Sequence, residues 1–243
     1  MFGIQGRVVA AITLRATMGR KRALIFALAP LVLVLVTAAL KLSHPEHASW
    51  PADILGVFGL TVVLPLTALI IGTSVLGAEI DDGSIVHLLA TPVSRAAVIG
   101  AKYAVAVVLT MIFAAVPELV AGLIATGGAT KLALGVFAGA LAGSVMYNAI
   151  FVMLSAVTTR AIAWGLLYVL IWEGVLGNLV AGARLLSVGQ YSLGIANSIA
   201  HDPGLNAALR LPTAVILGSL VTAAALVVAV RRLASFSLKG EPA

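Results

Sequence analysis

No cysteine occurs in the 243 residues, which excludes a disulfide, a thiolate metal site and a cysteine nucleophile, and leaves cysteine usage silent on compartment. Charge is scarce as well: 10% of residues are Asp, Glu, Lys or Arg, against 61% hydrophobic. An ordinary soluble domain is about 25% charged, so this chain has too little polar surface to face water and takes lipid as its solvent. The phosphate-binding pattern G-x-x-x-x-G-K-[ST] is missing, and Gly127-Gly128-Ala129-Thr130-Lys131 lacks its spacing. The chain therefore has no cradle for ATP phosphates, and energy must come from a separate polypeptide. H-E-x-x-H, G-x-S-x-G and paired intramembrane aspartates are absent too, which removes the clusters a membrane protease or lipid transferase needs. His44-Pro45-Glu46-His47 does not set two histidines on one helix face and has no further ligand cluster, so it reads as a solvated loop and no metal site is expected.

What the chain has is apolar runs of about 20 residues, each long enough to cross about 30 Å of hydrocarbon. Six are expected, at 23–42, 54–78, 98–125, 132–157, 161–181 and 212–230. The first follows Arg20-Lys21-Arg22 as a signal peptide would, but it exceeds an h-region of about 7 to 15 residues and is read as a retained helix. The net charge of +6 reflects basic residues at the ends of these runs, where they meet anionic lipid, so no nucleic-acid partner is implied. With both termini in the cytoplasm, Arg7, Arg15, Arg20, Lys21, Arg22, Arg95, Lys102, Arg160, Arg231, Arg232 and Lys239 fall inside. Lys41, Lys131, Arg184 and Arg210 fall outside. That excess fits the positive-inside rule, and an even number of spans returns the C-terminus to the basic side. The fold class expected is all-α membrane protein, a single domain over 1–243 with six spans. A five-span alternative makes 161–181 re-entrant, which Glu173 and Asn178 would permit.

Outside the spans, residues 1–22 place Ile4, Val8 and Ile12, and Arg7, Arg15 and Arg22, at roughly helical spacing, predicting an amphipathic interfacial helix. The outer loop 182–211 carries Leu185, Leu186, Tyr191, Leu193, Ile195 and Ile199 and is expected to pack short helices onto the outer mouth. Between spans two and three, residues 79–95 hold the most information. Asp82 or Ser84 can cap a short helix whose apolar face is Ile85, Leu88 and Leu89, and Thr91-Pro92 ends it. His87 lies on the polar side of that helix. Ser94 can cap the next helix, which Arg95 and Lys102 enter at the membrane surface. A short stiff helix joined to two spans has the form of a lever.

Leu64-Pro65-Leu66, Glu79, Gly83-Ser84, Leu88-Leu89, Thr91-Pro92-Val93-Ser94-Arg95 and Gly100-Ala101-Lys102-Tyr103 together resemble the signature of ATP-binding-cassette type 2 exporter permeases. The resemblance is nearest to the six-span subfamily that includes the permease of the nitrous-oxide-reductase maturation system. It covers roughly 40 residues. It implies a permease that dimerises, as a homo- or heterodimer, in the cytoplasmic membrane and binds one cassette ATPase subunit per permease. ATP and Mg would sit on that ATPase, and this chain would carry no cofactor and no catalytic residue. In such permeases the loop after span two is the coupling helix. Carried over, Glu79, Asp82, Gly83, His87, Leu88, Leu89, Pro92 and Arg95 become the coupling element. The acidic pair Asp81-Asp82 departs from the family, which often mixes basic residues there.

Glu118 and Glu173 lie inside apolar runs, where an acidic group costs about 2.5 to 3.5 kcal/mol at mid-membrane. Either they line the substrate path with Trp172 and Asn178, or they bond to Asn178, Asn148 or a hydroxyl and hold helices together. Gly135, Gly139 and Gly143 form a doubled G-x-x-x-G ridge that admits a close helix, chiefly within one subunit. Trp50, Trp164 and Tyr103 fall near span ends as headgroup anchors. The expected function is the permease of an ATP-driven exporter. The rivals are an ion- or proton-coupled secondary transporter acting alone and a membrane enzyme.

Overall fold

A computed structural model describes residues 10–11, 13–14, 17, 20–43, 50–81, 94–176 and 182–236, and every regular element among them is helical. Helix α1 is Arg20–Ser43, with the basic triplet in its first turn and Pro30 inside it. Helix α2 runs through Trp50–Asp53, Ile54–Val63 and Leu64–Asp81. Helix α3 runs through Arg95–Thr110, Met111–Ala115 and Val116–Thr126, and α4 is Lys131–Val157. Helix α5 joins Ala161–Leu167 to Tyr168–Leu176, and α6 is Val188–Ala200. Helix α7 is Leu211–Phe236. Short 3-10 turns at Ala183–Leu186 and Pro203–Leu205 flank α6.

The ends have local causes. Ser94 Oγ accepts the Ala97 N–H at 3.2 Å and starts α3, as its place in the sequence predicts. Gly127, at φ 74°, ends α3 in the left-handed conformation open to glycine. Thr130 Oγ1 accepts the Ala133 N–H at 3.3 Å and opens α4. Within α2 and α3 the backbone widens to π-helical turns over Ile54–Val63 and Met111–Ala115. Each wide stretch stops two residues before a proline, Pro65 and Pro117, whose ring nitrogen has no hydrogen to give the preceding turn.

Five helices among the described residues are long and apolar enough to cross a membrane: Ala23–Ser43, Trp50–Gly77, Arg95–Thr126, Lys131–Val157 and Leu211–Ser235. They match the expected spans to within a few residues, and the helix of the second continues to Asp81. The remaining expected span, fifth in chain order, is a shorter apolar helix, Ala161–Val175. The segment read as an outer loop explains this shortness. Most of α6 is buried, and it runs antiparallel to α4, with Ser192 facing Gly143 and Ala196 and Ala200 facing Gly135. Gly165 of α5 meets Phe151 near the other end of α4. Helices α5 and α6 thus cover successive halves of α4.

One end of the bundle gathers Arg95, Arg160, Arg231 and Arg232, and the other holds Lys41, Lys131 and Arg210. Two cores follow the same division. The larger, toward the far end, includes Leu60, Leu64, Tyr147, Phe151, Tyr191 and Ala196. The smaller, toward the basic end, includes Phe26, Val75, Val98, Ile99, Leu109 and Leu233. Ala10 packs against it, and Thr13 and Thr17 are buried one and two turns further on. Ile4, Val8, Ile12 and the arginines expected beside them at 7 and 15 lie outside the described residues.

Candidate functional site

Glu173 sits where α5 gives way to α6. It is 8% exposed, and its carboxylate collects donors from both elements. Tyr168 Oη donates to Oε1 at 2.9 Å, Ser187 Oγ donates to Oε2 at 2.5 Å, and the Val188 N–H donates to Oε1 at 2.9 Å. The Gly189 N–H lies 3.4 and 3.3 Å from the two oxygens. An α-helix leaves its first N–H groups without internal partners and carries partial positive charge there. At the start of α6, Glu173 supplies the missing acceptor. Ser187 Oγ also accepts the Gln190 N–H at 3.1 Å, so the same hydroxyl caps the helix and binds the carboxylate. Neighbouring Trp172 donates through Nε1 to the Leu186 carbonyl at 3.2 Å, and Tyr191 Oη donates to the Leu185 carbonyl at 2.6 Å. Asn178 lies outside the described residues.

Beside this joint is a cavity of about 310 Å³ lined by Val57 and Thr61 of α2, Glu173, Arg184 and Ser187, Gly189, Gln190 and Leu193 of α6, and Leu205 and Asn206. Its wall mixes ionic, amide and hydroxyl groups with aliphatic ones, so it suits a ligand with polar and apolar parts.

Glu118 lies elsewhere. It is 2% exposed in α3, with Oε1 lacking a hydrogen-bond partner among the described residues. Its carboxylate presses on Gly59 in the π-helical stretch of α2, where a Cβ would overlap both oxygens. The two acidic groups are therefore separate features, one clamped by donors and the other fitted into a glycine notch. Asn148 bonds neither: its Nδ2 donates to Thr110 Oγ1 at 2.9 Å and to the Ser144 carbonyl at 2.7 Å.

The glycine ridge seats α6 within the same chain. A Cβ on Gly135 would stand 2.5 Å from the Ala196 carbonyl oxygen, on Gly139 2.6 Å from that of Ser192, and on Gly143 2.5 Å from the Ser192 hydroxyl. Trp164 faces outward from the bundle, whereas Tyr103 turns inward and donates to the Val145 carbonyl at 3.0 Å. Lys102, expected at the membrane surface, is fully buried. Seven residues past Arg95, it has come two turns round to the side facing α2.

Of the expected coupling residues, Asp82, Gly83, His87, Leu88, Leu89 and Pro92 lie outside the described residues. Glu79 falls in the last turn of α2 and Arg95 in the first turn of α3, so both flanks of that segment are helical. Sequence reasoning passed over Tyr168 and Ser187. A signal for Ser187 exists, since Ser187-Val188-Gly189-Gln190 has the S-x-x-Q form of a helix start. Tyr168 has none of that kind, because it reaches Glu173, five residues on in α5, only where the backbone takes wider π-helical turns.

No curated protein matches the chain. A family model described as ABC-2 family transporter protein matches residues 19–189, from the start of α1 into α6, and includes the segment between α2 and α3. The chain belongs to the ABC-2 transporter family. An ABC-2 permease is the membrane component of an ABC transporter and is not itself catalytic, and membership implies association with an ATP-binding-cassette component. In this ABC-2 permease the match stops at the start of α6, so the rest of α6 and all of α7 lie beyond it.

Proposed function

We propose that this chain is the permease subunit of an ATP-binding-cassette exporter in the cytoplasmic membrane, working as a dimer and driven by ATP hydrolysed on a separate ATPase subunit. The family match over 19–189 carries this reading. Residues 79–95 act as the coupling element, with Leu88 and Leu89 as the apolar face gripped by the ATPase and Glu79, Asp82, Gly83, His87, Pro92 and Arg95 completing it. Helical flanks at Asp81 and Arg95 support that role, because a lever needs stiff arms. The cavity beside Glu173 is the outer part of the substrate path, and Glu118, Trp172 and Asn178 are the other candidate path residues. Its mixed lining supports an amphiphilic substrate.

Purification with the cassette ATPase tests the reading. The wild-type chain should retain the ATPase, and changing Leu88 and Leu89 to Asp should abolish retention while leaving the permease folded. ATPase binding by the doubly substituted chain would overturn the coupling assignment.

A further inference from the structure

Lys102 is 0% exposed, two turns into α3, and its Nζ donates to the main-chain carbonyl of Val75 on α2 at 2.8 Å. Val98, Ile99, Val105 and Ala106, one turn to either side of Lys102 on α3, and Val75 and Leu76 of α2 belong to the smaller core. An ammonium is costly to bury, and a lysine serving only to orient a helix would extend its head to the water boundary. Leucine or methionine would fill the space without that cost. Packing alone therefore does not account for lysine here.

Its position suggests what does. Val75 stands one turn before Glu79, and Lys102 stands two turns after Arg95. The bond joins residues 27 apart and closes the base of segment 79–95. Two residues before Val75 on α2, the Thr73 carbonyl is approached by Ser155 Oγ of α4 at 3.5 Å, a second tie on the same stretch of helix.

We infer that Lys102 is a positioning residue that locks the basic ends of α2 and α3 into one rigid body, so that a push on segment 79–95 reaches both helices together. This rests on the permease reading. Without the tie, part of the push would be lost in changing the angle between the two helices, and hydrolysis would be less tightly linked to movement in the membrane.

The absence of cysteine makes the test direct. Gly77→Cys on α2, where a side chain meets open space, and Ala96→Cys in the exposed first turn of α3 would carry nitroxide labels. Their separation would be measured by electron paramagnetic resonance in vesicles holding the permease and its ATPase, without nucleotide and with a non-hydrolysable ATP analogue. With Lys102 present the separation should stay the same in both states. With Lys102→Met it should shift by about 2 Å or broaden on adding the analogue, as packed helices do when they slide. Lys102→Gln serves the same comparison should the methionine variant fail to assemble. A nucleotide-dependent separation in the lysine-bearing chain would overturn the inference, as would invariant separations in the variants. Failure of the lysine-bearing chain to hold the ATPase would instead sink the permease reading, and the inference with it.

Discussion

At the scale of single residues, the two buried acidic groups make opposite demands. Removing the Glu173 side chain would leave the Val188 and Gly189 N–H groups without their acceptor in a water-poor setting. Each such loss costs about 1 to 3 kcal/mol. Glu173→Ala should therefore lower the thermal unfolding midpoint in detergent clearly. Glu173→Gln should lower it less and still reduce transport, because an amide nitrogen would replace one of two accepting oxygens. A glutamine variant with unchanged stability and unchanged export would remove Glu173 from both roles. Gly59→Ala drives a methyl into the Glu118 carboxylate, an overpacking that costs about 1 to 3 kcal/mol. Shortening Glu118 to Ala in that background should restore part of the loss, and strictly additive effects in the four-way comparison would deny that the two touch. Both acids were visible in the sequence as charges inside apolar runs. Which one is clamped and which sits in a notch was not, because all the Glu173 donors but Tyr168 come from residues 14 to 16 positions away, and the notch comes from another helix altogether.

At the scale of elements, the α4 ridge and α6 are the most demanding contact in the bundle. Gly139→Val should push α6 off α4, since even a Cβ would come within 2.6 Å of the Ser192 carbonyl. The loss should exceed that of Gly128→Val in the turn before α4, where a Cβ meets open space. Comparable unfolding midpoints for the two variants would contradict the packing described here. The spacing of Gly135, Gly139 and Gly143 announced a close partner. Its identity was hidden because α6 is short, has Gly189 and Gly194 on its buried side, and lies in a stretch whose length and turn residues read as a loop. The Ser94 cap, by contrast, depends only on residues three apart and could be read directly from the chain.

At the scale of the whole molecule, orientation follows from α4, whose 27 residues rise about 40 Å, enough to separate its two ends across a bilayer. Single cysteines at Gly128 and at Thr159 should therefore react with a membrane-impermeant maleimide from opposite sides of intact cells. Labelling of both from the same side would dismantle the topology. The excess of basic residues at the end holding Arg95, Arg160, Arg231 and Arg232 places that end inside, so Thr159→Cys should stay unlabelled until the membrane is opened.

Local rules made much of this protein legible in its residues alone. Scarce charge and long apolar runs dictated a helical bundle in lipid, because an unpaired backbone is too costly in hydrocarbon. The motif around residues 64–103 and the missing phosphate loop pointed to a permease that borrows its energy. Tertiary contact decided the rest: α6 packs into the glycine ridge of α4, Glu173 ties α5 to the start of α6, and Lys102 turns inward. Each of these depends on groups far apart in sequence meeting where water is excluded. There, whether a buried polar group finds a partner outweighs any preference its own segment expresses.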